Sequence, residues 1–207
     1  MCENGERVTS KDMVAGFWEE LLSFVRDELG GGEMTGVVLV YPDCTLVVLE
    51  GPTRQIMDVL RKLDEVLVEA APEEKMFGAV KVCASTEDIP RAAFASFEAA
   101  YVNSATAEAY EAEEAENLVK TTSGVNIAML KLGAKLGGMA RGEMDQTLNN
   151  LTGAFPELPI MQSLMGLLMA EEGAPTLEEF LDIYDAALDV DLDSENVWPM
   201  PPPLKFL

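Results

Sequence analysis

Two short runs of aliphatic and β-branched residues, Val37 to Tyr41 and Thr45 to Glu50, flank the turn Pro42-Asp43-Cys44. Gly36 precedes the first run and Gly51-Pro52 ends the second. Runs of this length and composition predict two antiparallel strands closed by a tight turn. Both are nearly continuous in apolar residues rather than alternating, so both faces of the sheet are expected to be covered. Pro52 then opens an amphipathic stretch, with Ile56, Val59, Leu60, Leu63, Val66 and Leu67 on one face and Arg54, Asp58, Arg61 and Lys62 on the other. A hairpin followed by such a helix confines the chain to an α+β arrangement, with helices packed on one face of a small, mostly antiparallel sheet.

The flanking sequence extends this plan. Between residues 10 and 29, apolar residues recur at Val14, Phe17, Trp18, Leu21, Leu22 and Val25, the spacing of a helix; Ser10 is placed to cap it and Gly30-Gly31-Gly32 to stop it. Gly78 to Ala84 alternates and predicts a strand, and Arg91 to Val102 reads as a short strand or a helical turn. The composition changes beyond Asn103. Residues 107–120 are helix-prone and acidic, residues 124–144 carry Met and small residues interrupted by glycine, and residues 158–173 and 176–190 predict two more helices. Thr176 and Glu179 are spaced as a capping box. Six of the twelve methionines lie between Met129 and Met169, as a packed core or as an adaptable binding face. The expected organisation is an α+β domain over residues 8–102, a helical region over 103–194 and an extended Pro-rich tail over 195–207.

Charge and missing residue types narrow the function. Asp and Glu number 37 against 14 Lys and Arg, a net charge of −23. Such a chain is repelled by nucleic acid, by anionic membrane and by the acidic surface of tubulin, and suits a protein partner with a basic surface; solubility alone is the other reason for such charge. There is no histidine, which removes the commonest general base, the His-based triads and most zinc sites, so no enzymatic role is expected. The odd number of cysteines, Cys2, Cys44 and Cys83, with no CxxC pair, fits idle thiols in a reducing compartment. The polar N-terminus and the shortness of the apolar runs argue against a signal peptide and a membrane span, and favour a cytoplasmic location.

The segment Thr35-Gly36-Val37-Val38-Leu39-Val40-Tyr41, the turn, and Val47-Val48-Leu49-Glu50-Gly51-Pro52 together resemble the BLUF domain, a flavin-binding blue-light photoreceptor of ferredoxin-like fold. Ile89-Pro90-Arg91 and Phe94 resemble the segment leading to its last strand. The likeness covers about residues 10–102. In photoactive members a strand-one Tyr and the Gln of a QxLEG motif hold the flavin. Here Val47 takes the Gln position, no aromatic strand precedes residue 10, the expected Asn before the TG is absent, and no His is available. The resemblance therefore implies the scaffold without the cofactor. A closer likeness is to the flavin-less BLUF-like family of testis-expressed and ciliary proteins, carried by Tyr41-Pro42 and Ile89-Pro90. It implies a non-enzymatic structural or docking role in the axoneme of motile cilia and flagella. The alternative is a flavin- or small-ligand-binding light sensor with a differently built site. The lost first strand would be replaced by a stub from Arg7 to Thr9, by a different closure of the sheet, or by a partner's strand.

Three further stretches have the outline of sites. Asp189-Val190-Asp191-Leu192-Asp193-Ser194 begins like an EF-hand loop, but Ser194 and Met200 stand where Gly and Glu are needed, so a solvated acidic helix end is expected and no metal. Gly133, Gly137, Gly138 and Gly142 fit no phosphate-loop pattern; they are expected to permit close helix packing or to break a helix. The tail residues Trp198, Met200, Pro201, Pro202, Pro203, Leu204 and Phe206 are too apolar to rest in water. They either fold back on the domain or, as favoured here, anchor a protein partner.

Overall fold

The computed structural model describes residues 2–4, 11–30, 32–71, 75–103 and 115–185. The hairpin forms as its sequence dictates: β2 (Thr35–Val40) and β3 (Cys44–Glu50) pair antiparallel, with Val40 opposite Thr45, and the Tyr41 N–H donates to the Cys44 carbonyl across Pro42-Asp43 at 2.9 Å. Before it lies α1 (Lys11–Glu28), ended by Gly30 at φ +70°, and after it α2 (Thr53–Glu69). The strand β4 (Phe77–Val80) follows, then β5 (Phe97–Tyr101), which runs parallel to β2.

The first strand is present, against expectation. β1 (Cys2–Asn4) lies between β3 and β4, antiparallel to both, with Cys2 facing Thr45 on one side and Val80 on the other. The sheet has five strands in the order β4-β1-β3-β2-β5. Three polar residues carry no strand pattern. They pair because backbone donors and acceptors on two flanking edges do not depend on side chains. The stub expected at Arg7 to Thr9 and the cap expected at Ser10 lie outside the described residues.

Both faces of the sheet are covered. Val38 and Val40 pack beneath α1 and α2, against Val14, Trp18, Val25, Val59 and Leu63. Val37, Leu39 and Tyr41 face the other way, against α3 (Ala115–Leu136), α4 (Arg141–Asn149), α5 (Leu151–Ala154) and α6 (Met161–Met169), with Leu132, Leu151 and Leu164 nearly wholly buried. The composition shift near residue 103 is thus no break in the core: sheet and later helices share it. Four of the six methionines serve that core, Met129, Met144, Met161 and Met165 all being buried, while Met169 is exposed. Each of Val37 to Val40 has no exposed surface, burial that stabilises by roughly 1.5–3 kcal/mol per side chain. The last described helix, α7 (Leu177–Tyr184), returns to the α2 side. Thr176 and Glu179 complete the expected capping box there.

Two glycine expectations resolve locally. A Cβ on Gly133 would stand 2.9 Å from the Ala93 Cβ, so this position permits close packing of α3 on the segment before β5. Gly137 and Gly138 follow the last residue of α3 and end it.

Candidate functional site

The residues that carry the resemblance hold the fold together. Gly36 sits in β2 at φ +147°, where an added Cβ would lie 2.0 Å from the Val48 carbonyl oxygen, so only glycine fits. Glu50, at the end of β3, accepts the backbone N–H groups of Ala93 and Phe94, each at 2.9 Å, and the hydroxyl of Thr35 at 3.2 Å. One carboxylate thereby fastens the segment before β5 to the hairpin. Phe94 is buried in the core on the helical side, whereas Ile89 and Pro90 are exposed. Tyr41 is buried and its hydroxyl donates to the Pro159 carbonyl at 2.8 Å; burial pushes its ionisation well above the ordinary phenol range.

Val47 lies half-buried on the face beneath α1 and α2, beside Leu49, and packs against the cluster around Trp18. Phe17 meets the rings of Trp18 and Phe77 edge-on, at 5.9 and 5.5 Å between centroids. Val47 is therefore walled by aliphatic and aromatic groups. The exception is the Trp18 indole N–H, which is buried and has no acceptor among the described residues.

That indole lines a cleft which no sequence signal announces. β1 pairs with β3 only at Cys44 and Thr45, and with β4 only up to Val80. The cleft runs along Leu46 to Leu49 on one side and Val80 to Thr86 on the other, encloses about 220 Å³, and touches α2 through Leu60 and Leu63 and α3 through Val125 and Met129. Such a volume falls below the usual range for drug-sized ligands. The strand expected over Gly78 to Ala84 stops at Val80. Its outer edge continues, through the pairing of Lys81 with Thr176 and the Val82 N–H donating to the Pro175 carbonyl at 3.0 Å.

Lys81 is a buried polar residue of the same region. Its ammonium donates to the carbonyl of Ala170, the residue that caps α6, where the helix dipole favours a cation. Arg61 of α2 holds Asp185, just past α7, through Nε at 2.6 Å to Oδ2; this bond draws the Asp185 carboxyl below its usual range and raises the guanidinium. Among the described residues no group of three or more His, Cys, Asp or Glu gathers to hold a metal, and no helix is long and apolar enough to cross a membrane. The tail residues Trp198, Met200, Pro201, Pro202, Pro203, Leu204 and Phe206, and the acidic stretch from Asp189, lie outside the described residues.

Fold and site together define a mixed α+β protein whose five-stranded sheet is coated by helices on both faces, with a small cleft beside β3. A family model described as testis-expressed protein 47 matches residues 2–186, and the chain belongs to that family.

Proposed function

We infer that this chain is a non-enzymatic structural or docking subunit of the motile-cilium axoneme, built on a BLUF-like, ferredoxin-like domain that does not hold flavin. The order β1-α1-β2-β3-α2-β4-β5, with α1 and α2 on one face, supports the ferredoxin-like part of the reading. Membership of a testis-expressed family is consistent with a flagellar setting. The observation that carries the reading is Val47. At the position where the photoreceptors need an amide, this chain presents an alkyl group packed among other apolar side chains. Nothing there would orient a polar ring system. The net charge of −23 favours basic protein partners over tubulin, nucleic acid or membrane, and a cytoplasmic protein delivered to the cilium.

The test is fractionation of motile cilia carrying a tagged full-length chain. The tag is expected to stay with the axoneme after detergent removes the membrane. Its complete release into the detergent-soluble fraction, with no ciliary signal, would overturn the docking role. An absorption spectrum taken with and without added FMN or FAD checks the other part. A flavin band that shifts to the red on illumination would restore the sensor reading; a colourless protein that ignores flavin supports the scaffold.

A further inference from the structure

Between two fastened points the chain leaves regular structure altogether. The Val82 N–H donates to the Pro175 carbonyl at 3.0 Å, and the Ala93 N–H to the Glu50 carboxylate at 2.9 Å. From Ala84 to Ala92 every residue is exposed and none belongs to a helix or strand. None of them makes a hydrogen bond or ion pair with another described residue. Such a segment can be drawn into another protein's cleft without opening the sheet. Within it, Ser85 is followed by Glu87 and Asp88, at the second and third positions after the hydroxyl.

Spacing alone does not single this serine out. Among the described residues, Ser85 and Thr176 both have a carboxylate three residues on. The structure separates them. The Thr176 hydroxyl is spent in the capping box of α7, where it accepts the Glu179 N–H at 3.2 Å and meets the Glu179 carboxylate at 3.1 Å. Presenting it to another protein would unmake the start of a helix. The Ser85 hydroxyl has no partner among the described residues, and its segment has no helix to lose.

We propose that Ser85 is a phosphoacceptor for an ATP-dependent protein kinase that reads carboxylates on the C-terminal side of its target. The neighbouring residues fix that class. An arginine-directed kinase wants a cation three residues earlier, where Val82 stands; Lys81, one residue further back, is buried against the Ala170 carbonyl. A proline-directed kinase wants Pro immediately after the target, where Thr86 stands. Glu87 and Asp88 are left to be read by Lys or Arg in the kinase's substrate groove. In the step itself the Ser85 Oγ attacks the γ-phosphorus of ATP and its proton passes to the kinase's catalytic carboxylate. The bond from that phosphorus to the bridging oxygen breaks, and ADP leaves. The phosphate brings about −1.5 to −2 charge near neutrality and joins Glu87 and Asp88 in one exposed anionic patch.

The modification stands apart from the docking role and is tested apart from it. The purified full chain is incubated with magnesium and ATP and, in separate reactions, an acid-directed, an arginine-directed and a proline-directed protein kinase; phosphate is then mapped by peptide mass spectrometry. The acid-directed kinase is expected to phosphorylate Ser85 at least roughly tenfold faster than the other two do, and at least roughly tenfold faster than it modifies Thr176. The double substitution Glu87→Gln and Asp88→Asn should slow the reaction at Ser85 roughly tenfold. Asn suits the left-handed backbone of residue 88, at φ +56°, so the segment keeps its path in that variant. Similar rates from the three kinases, phosphate on Thr86 in place of Ser85, an unslowed double variant, or Thr176 modified as fast as Ser85 each overturns the proposal. Chain recovered from expressing cells under phosphatase inhibitors gives a second reading: phosphate on Ser85 supports the assignment, and its complete absence there overturns it.

Discussion

The hydroxyl of Tyr41 and the carbonyl of Pro159 are joined by a 2.8 Å hydrogen bond that ties the end of β2 to the chain entering α6. Tyr41→Phe removes the donor and leaves a part-buried carbonyl unmet. The expected loss is about 1–2 kcal/mol in a urea titration. The phenol also sets an alkaline limit. Its folded ionisation lies above the ordinary value near 10, so at high pH the unfolded chain gives up a proton that the folded chain keeps. Stability should fall as pH rises through that range. The fall should be shallower in the Phe variant.

Glu50→Gln tests the tie between hairpin and β5. The side-chain amide of Gln would face either the Ala93 or the Phe94 N–H donor to donor, and the charge is lost. A destabilisation of about 2–3 kcal/mol is expected. Native-state exchange at the Ala93 and Phe94 amides should quicken before the strands of the sheet open. Unchanged exchange there would show that Glu50 does not fasten this segment.

Two glycines separate fit from freedom. Gly36→Ala places a Cβ against the Val48 carbonyl at a positive φ and should cost at least ~3 kcal/mol. Gly16→Ala lies within α1 with nothing near its new methyl group, and should stabilise by about 0.5–1 kcal/mol. Thermal melts of the two variants should move in opposite directions.

The capping box at Thr176 gives a pH-linked prediction. Hydrogen bonds from the Thr176 backbone and hydroxyl hold the Glu179 carboxyl below its usual range. That stabilisation is present above the unfolded carboxylate value and fades as pH falls. Thr176→Ala should cost about 1 kcal/mol near neutrality. It should also flatten the acid side of the stability profile, read by melting temperature against pH.

Period and punctuation made most of the fold legible. The hairpin, α1, α2 and α7 carry clean apolar spacing and their own stops; the continuous apolar runs foretold that both faces would be covered, whereas the helices expected on one face in fact lie on both. β1 was illegible because Cys2-Glu3-Asn4 is only three residues long and carries no alternating apolar pattern. β5 was ambiguous because Phe97 to Tyr101 is rich in alanine, which suits helix or strand, and only its place beside β2 decides. The cleft had no signal at all. It is lined by residues of β3, α2, α3 and the chain after β4 that lie far apart in sequence, and Leu46 to Leu49 read as an ordinary strand whatever lies beside them. What the sequence did show of the site was the apolar character of Val47 and its neighbours in β3.

The sharing of one core by β2 and the later helices sets the order in which the protein can safely be made. A ribosome that has delivered residues through 103 has produced the apolar hairpin and the helices for one of its faces. The other face waits for Leu132, Leu164 and their neighbours, on the order of seconds at ordinary translation speeds. During that interval Val37, Leu39 and Leu46 lie open on a β-rich nascent chain, the composition most prone to self-association. Substitutions in α3 or α6 should therefore reveal themselves first as lost yield and a greater demand on chaperones during synthesis, ahead of any change in the finished protein's melting point.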